Sequence, residues 1–191
     1  MNNNSSKEDE LYSNPKNIIF VNNLVEYAYS KINMDNIFCT FKSINDILYL
    51  IYTNYQKSII SYNLTDGQKI NEIKNAHKQF IINFRHYLDK KNNLDLIMSM
   101  SSDNNIKLWK TINWECLLNL TNINNVGIIE AACFFYNENN NFIITSNWNY
   151  DGVSEPIKIF DFQGNKLNEI NDSKIITNYI DIYYDIQLNK N

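Results

Sequence analysis

The sequence predicts an all-β fold built from repeated four-stranded units, and three observations carry that expectation. One apolar phrase recurs in a single register, at residues 58–62 (SIISY), 105–109 (NIKLW) and 156–160 (PIKIF), each ending on an aromatic and each followed by a second apolar strand. The aromatics Tyr62, Trp109 and Phe160 stand about 47 and 51 residues apart, a period that marks an array of one supersecondary unit. From residue 17 onward, short apolar or alternating runs are separated by Asn, Asp, Ser and Gly, the pattern of strands and turns. Helix signals are weak throughout. With only 4 Gly and 2 Pro in 191 residues, Asn and Asp must supply many of the left-handed turn positions that glycine usually fills.

Taken in order, residues 1–16 open with MNNNSSKEDELY, too polar to offset the entropy of ordering, and are expected to be a disordered tail ahead of a folded segment at 17–191. The first unit, about 36–73, has strands expected at 37–41, 48–53, 58–63 and 69–73. The second, about 76–120, has them at 80–87, 94–99, 106–110 and 116–120. The third, about 126–170, has them at 130–136, 142–146, 157–162 and 166–170. Each unit closes on a similar phrase, GQKINEI at 67–73, NWECLLNL at 113–120 and GNKLNEI at 164–170. There the Gly or Asn is expected to open the turn, and the apolar pair to pack the outer strand. Residues 175–185 then read as the opening strand of an incomplete fourth unit at 175–191. Residues 17–30 are the alternative source of strands that would pair with it and close a small ring.

Charge and cysteine usage exclude several functions. The 17 Lys+Arg against 21 Asp+Glu leave a net charge of −4, and Arg85 is the sole arginine, so neither nucleic acid nor a membrane is an expected partner. No apolar run reaches the roughly 18 residues of a membrane span, and the polar amino terminus has no secretory pattern, so a cytoplasmic location is expected. Cys39, Cys116 and Cys133 lie in strand-like runs without metal-ligand spacing and read as packed core thiols, with no metal and no cofactor implied.

The stretch 98–110, MSMSSDNNIKLWK, together with Ala76-His77, resembles a blade of the WD40-repeat β-propeller family. The resemblance implies a WD40-type β-propeller, either partial, with about three four-stranded blades, or a small closed ring. It also implies a buried structural relay of His77, Ser99 or Ser101, Asp103 and Trp109, in which the carboxylate accepts from the imidazole and a serine hydroxyl bridges ring and indole. The match is uneven. The Asp of the name-giving dipeptide is Lys110 here and Asn63 in the first unit, and stands as Asp161 only in the third. Gln56 takes the place of the turn Asp in the first unit, so the other two units are expected to rely on apolar packing.

The expected function is a non-enzymatic protein-interaction scaffold, because the Ser, His and Asp grouping has a structural explanation and no GxSxG elbow is present. The loop at 147–155 carries Trp148, Tyr150 and Asp151 and is the expected interaction loop. One alternative is the noncatalytic WD40 portion of a larger enzyme, a kinase or ligase, of which this chain is a fragment. Another is a phosphoinositide-binding propeller, suggested by Phe84-Arg85-His86 but disfavoured by the missing second Arg and Gly. An open ring would also be expected to self-associate.

Overall fold

The computed structural model describes residues 37–54, 57–121, 128–137, 140–148 and 156–171. The tail at 1–16, the segment at 17–30, Gln56, Tyr150, Asp151 and the incomplete unit at 175–191 lie outside the described residues. What is described is all β. Twelve strands form three separate four-stranded antiparallel sheets, each pairing its strands in chain order. The first sheet holds β1 (Phe38–Lys42), β2 (Leu48–Asn54), β3 (Ser58–Asn63) and β4 (Lys69–Ile73). The second holds β5 (Ile81–Asp89), β6 (Leu94–Ser101), β7 (Ile106–Lys110) and β8 (Cys116–Leu120). The third holds β9 (Ile128–Asn137), β10 (Asn140–Trp148), β11 (Ile157–Asp161) and β12 (Lys166–Ile170).

The sheets stack face to face, with β1 beside β5 and both β5 and β6 beside β9. Phe41, Tyr49, Ile51 and Ile59 of the first sheet pack on Phe84, Ile97 and Trp109 of the second. Tyr87, Leu96, Met98, Met100, Ile106 and Leu108 leave the other face of the second sheet to meet Ile129, Ala132, Ile143 and Phe160 of the third. The middle sheet is therefore covered on both sides. That is why β6, LDLIMSMS, reads as a nearly continuous apolar run and is buried at every position after Leu94.

Turn chemistry follows from the shortage of glycine. Asp46, Asn75, Asn93 and Asn104 all adopt positive φ, between 49° and 65°, as Asn and Asp tolerate better than other non-glycine residues. One turn departs from the sequence reading. In NWECLLNL the left-handed residue is Trp114 (φ 58°), not Asn113, and its N–H bonds the Lys110 carbonyl just as the Gly67 N–H bonds that of Asn63. A tryptophan holds a glycine slot because its ring is buried edge-on to Tyr49, 6.0 Å between centroids.

The outer strands also differ from expectation. In each sheet the pairing slips by one residue opposite the aromatic: Tyr62 faces Lys69 while Ser61 faces Asn71, Trp109 faces Cys116, and Phe160 faces Lys166. The skipped residues are Ile70, Leu117 and Leu167, and all three are exposed. A bulge turns its extra residue off the ladder, so Ile70, Leu117 and Leu167 do not pack, whereas Ile73, Leu118 and Leu120 of the first two closing phrases still reach the core. Strand β12 is exposed along its whole length. The thiols divide in the same way: Cys133 is buried and Cys39 half-buried, but Cys116, on β8, is exposed rather than packed in the core.

Candidate functional site

His77 sits in the segment joining the first two sheets, between β4 and β5. Its backbone N–H donates to the Lys57 carbonyl (3.2 Å), and the Lys107 ammonium donates to the neighbouring Ala76 carbonyl (2.6 Å). Asp103 lies in the turn between β6 and β7, where it accepts from the backbone N–H of Lys78 (2.7 Å) and of Asn105 (3.1 Å). Ser99 projects from β6 and Trp109 from β7. These four side chains meet. His77 Nδ1 lies 3.3 Å from each Asp103 carboxylate oxygen, His77 Nε2 lies 2.8 Å from Ser99 Oγ, and Trp109 Nε1 donates to Ser99 Oγ at 2.9 Å.

The serine left open in the sequence is resolved by register. Ser99 bridges imidazole and indole, whereas Ser101 is buried at the end of β6 and its hydroxyl accepts from the Asp103 N–H (3.1 Å), holding the turn. Burial pushes the His77 imidazole down to about 4, against the weaker upward pull of Asp103. Burial works to raise the Asp103 carboxyl, but the Lys78 N–H and the approach of His77 and Ser101 hold it below its ordinary value. Near neutral pH, then, a neutral imidazole faces an ionised carboxylate. The Nδ1–H donates to Asp103, the Ser99 hydroxyl donates to Nε2, and the indole N–H donates to the Ser99 oxygen.

This chain of bonds has the polarity of a hydrolytic Ser-His-Asp triad. Its accessibility is opposite. The His77 side chain is 0% exposed and Ser99 is likewise 0% exposed. A nucleophilic hydroxyl needs room for a carbonyl carbon, and here that space holds the Trp109 ring. Among the described residues, no group of His, Cys, Asp and Glu is placed to hold a metal ion.

A second network, which the sequence reading missed, ties the first sheet to the second at the opposite end of β6. His86 Nε2 lies 2.7 Å from one Asp95 oxygen, and the other oxygen accepts from the Ile44 N–H in the β1–β2 turn (2.7 Å). The His86 ring stacks on Phe41, 4.3 Å between centroids. Burial works to raise the Asp95 carboxyl, but hydrogen bonds from His86, Ile44 and Thr111 hold it below its ordinary value. Sheets two and three meet differently, through a Tyr87 hydroxyl donating to Asn141 (2.7 Å) and an aromatic cluster of Tyr87, Phe134, Tyr136 and Phe162.

The third sheet keeps the hydroxyl of the relay without its partners. Phe160 occupies the register of Trp109, and Thr145, opposite Lys158, occupies that of Ser99, opposite Lys107. A phenyl ring has no N–H to offer, and the buried Thr145 Oγ1 has no hydrogen-bond partner. Thr145→Val is accordingly expected to stabilise the chain by about 1 kcal/mol, since a methyl replaces an unsatisfied hydroxyl of the same shape. A urea midpoint unchanged or lowered in that variant would contradict the reading. Of the expected interaction loop, the Trp148 backbone is placed on a strand rather than a loop: it ends β10, paired with Ile128 beyond a bulge at Ser146 and Asn147.

The chain matches no protein-family model and no curated protein. Among solved structures it is similar to the computationally designed Ika4 protein, with a TM-score of 0.57 and 15% identity, covering 78% of this chain and 79% of that one. It is equally similar to the computationally designed Ika8 protein, with a TM-score of 0.57 and 15% identity over 78% of this chain, but spans only 40% of Ika8. At that identity the likeness is one of fold alone.

Proposed function

We propose that the three sheets are blades of a WD40-type β-propeller and that the chain is a non-enzymatic protein-interaction scaffold acting in the cytoplasm. The observation that carries this reading is the saturation of Ser99. Its oxygen is shared between His77 and Trp109 with no exposed surface, so the one grouping with triad chemistry among the described residues supports the sheet instead of reacting. The arrangement links the β4–β5 segment, the β6–β7 turn and two strands, which is the role of the relay in the family this chain resembles. Arg85 gives the phosphoinositide alternative little support, because its guanidinium donates to Asn83 and to the Phe84 carbonyl within its own strand.

A fluorophosphonate probe is expected to leave Ser99 unlabelled in the folded chain, and labelling there would overturn the non-enzymatic reading. The scaffold role is tested by capture from a cytoplasmic extract on immobilised wild-type chain and on the triple variant Trp148→Ala, Tyr150→Ala, Asp151→Ala. At least one specifically bound protein is expected to be lost from a variant that keeps the wild-type circular dichroism spectrum. Identical capture by both chains would remove the loop from the reading.

A further inference from the structure

Alternation along β6 sorts its side chains onto two unlike faces. Leu96, Met98 and Met100 point to the third sheet and pack among Ile129, Ala132, Ile143 and Phe160. Asp95, Ile97 and Ser99 point the other way. Ile97 packs among Phe41, Ile51 and Ile59 of the first sheet, Asp95 accepts from the Ile44 N–H, and Ser99 meets His77 and Trp109. Both histidines of the chain lie on that side, His77 beside Asp103 and His86 beside Asp95. The polar tie to the third sheet is the Tyr87 hydroxyl on Asn141, and neither of those groups takes up a proton in mild acid.

The backbone is drawn into the same joint. The Ile44 N–H reaches Asp95, the His77 N–H reaches the Lys57 carbonyl in the β2–β3 turn, and the Lys78 N–H reaches Asp103. These three amides are held by the joint between the first and second sheets and by the linking segment 74–80, not by a strand ladder. The charged groups facing His77 are Asp103 and Lys107, whose ammonium holds the Ala76 carbonyl; Lys57 and Lys78 meet the segment through backbone groups. Asp95 is faced by His86 on its own sheet and by the Tyr49 phenol of the first.

We propose that this joint is an acid-opened hinge, at which the first sheet and the linking segment 74–80 come off the second sheet while the second stays packed on the third. Closed, the joint holds His77 neutral, because burial brings its imidazole down to about 4. Opened, the ring takes up a proton near 6.5, so a fall in pH between those values favours the open form. Asp95 and Asp103, held below 3.8, add to the effect only in stronger acid. Parting the second sheet from the third would expose the apolar row of β6 and gain no proton at Tyr87 or Asn141, so acid gives that joint no such advantage.

Native-state hydrogen exchange on the full chain, followed by nuclear magnetic resonance in rising urea at pH 7 and pH 5, tests the hinge. The Ile44, His77 and Lys78 amides are expected to exchange through an opening of smaller urea slope than the Ile143 and Ile159 amides, which sit on the two central strands of the third sheet. After correction for intrinsic exchange, the equilibrium constant of that opening should rise about 20-fold from pH 7 to pH 5. His77→Gln should abolish the rise. One common slope for all five amides would overturn the proposal, since only global unfolding would then expose the joint. So would a smaller opening that does not respond to pH, or a rise that persists in folded His77→Gln. The first two results are read on the wild-type chain and stand whether or not the variant folds.

Discussion

Ser99→Ala is expected to cost the folded chain about 3 kcal/mol, although the change removes a single oxygen. The reason is that this oxygen serves two partners at once. Its loss leaves His77 Nε2 and Trp109 Nε1 without their bonds in a site that water does not enter, and an orphaned buried polar group costs roughly 1 to 3 kcal/mol. The substitution leaves almost no cavity, so packing adds little, in contrast to a truncation of Trp109. Urea unfolding followed by tryptophan fluorescence should show a lowered midpoint at unchanged slope, the mark of a stability change without a change in surface exposed. Trp109→Phe removes one of the two orphaned partners. In its background Ser99→Ala should cost about 1 kcal/mol less, a coupling measured by the double-mutant cycle. A loss below roughly 0.5 kcal/mol for Ser99→Ala, the scale of an ordinary surface change, would show that the network carries no stability.

How much of this was legible in the sequence depends on whether a feature is written in local pattern or in register. The strand assignments survive with shifts of a residue or two because alternation and turn residues are local; β9 and β10 run longer than read, extending from Ile128 and to Trp148. The set of residues around His77 was legible through resemblance, but the choice between Ser99 and Ser101 was not. Both lie on the same face of β6, and only the pairing of Ile97 with Trp109 places Ser99 under the indole. The bulges were invisible, and with them the outward turn of Ile70, Leu117 and Leu167. His86 and Asp95 had a signal that went unused. The strands read at 80–87 and 94–99 are consecutive and antiparallel, so residues near their shared turn fall diagonally opposite each other, within reach of long side chains. Read singly, each looked like a polar residue at a strand end.

The chain is also expected to lose stability as pH falls from about 6.5 toward 4, before its carboxylates contribute. His77 carries the effect. Its imidazole takes up a proton near 6.5 in the unfolded chain but only near 4 in the folded one, because burial disfavours the charged ring more than Asp103 favours it. Between those values the unfolded state binds more protons, so its free energy drops relative to the native state. The slope approaches 1.4 kcal/mol per pH unit, and the accumulated loss by pH 4 is about 3 kcal/mol. Asp95 and Asp103 act later and in the same direction. Their folded values lie below 3.8, so the stability they confer is present above that value and is lost as pH falls through the folded one. Two readouts separate the windows. Urea midpoints measured from pH 7.5 to 3 should decline steadily from about 6.5 to about 4 as His77 contributes, and go on declining below that as Asp95 and Asp103 do. The His77 imidazole proton resonance should hold its neutral position through pH 5.5. A His77 resonance that titrates near 6.5 in the folded chain would mean that the ring is charged beside Asp103. The Ser99 hydroxyl would then have to accept from Nε2 as well as from Trp109, so the Ser99–His77 bond would reverse while the bonds to Asp103 and from the indole kept their direction.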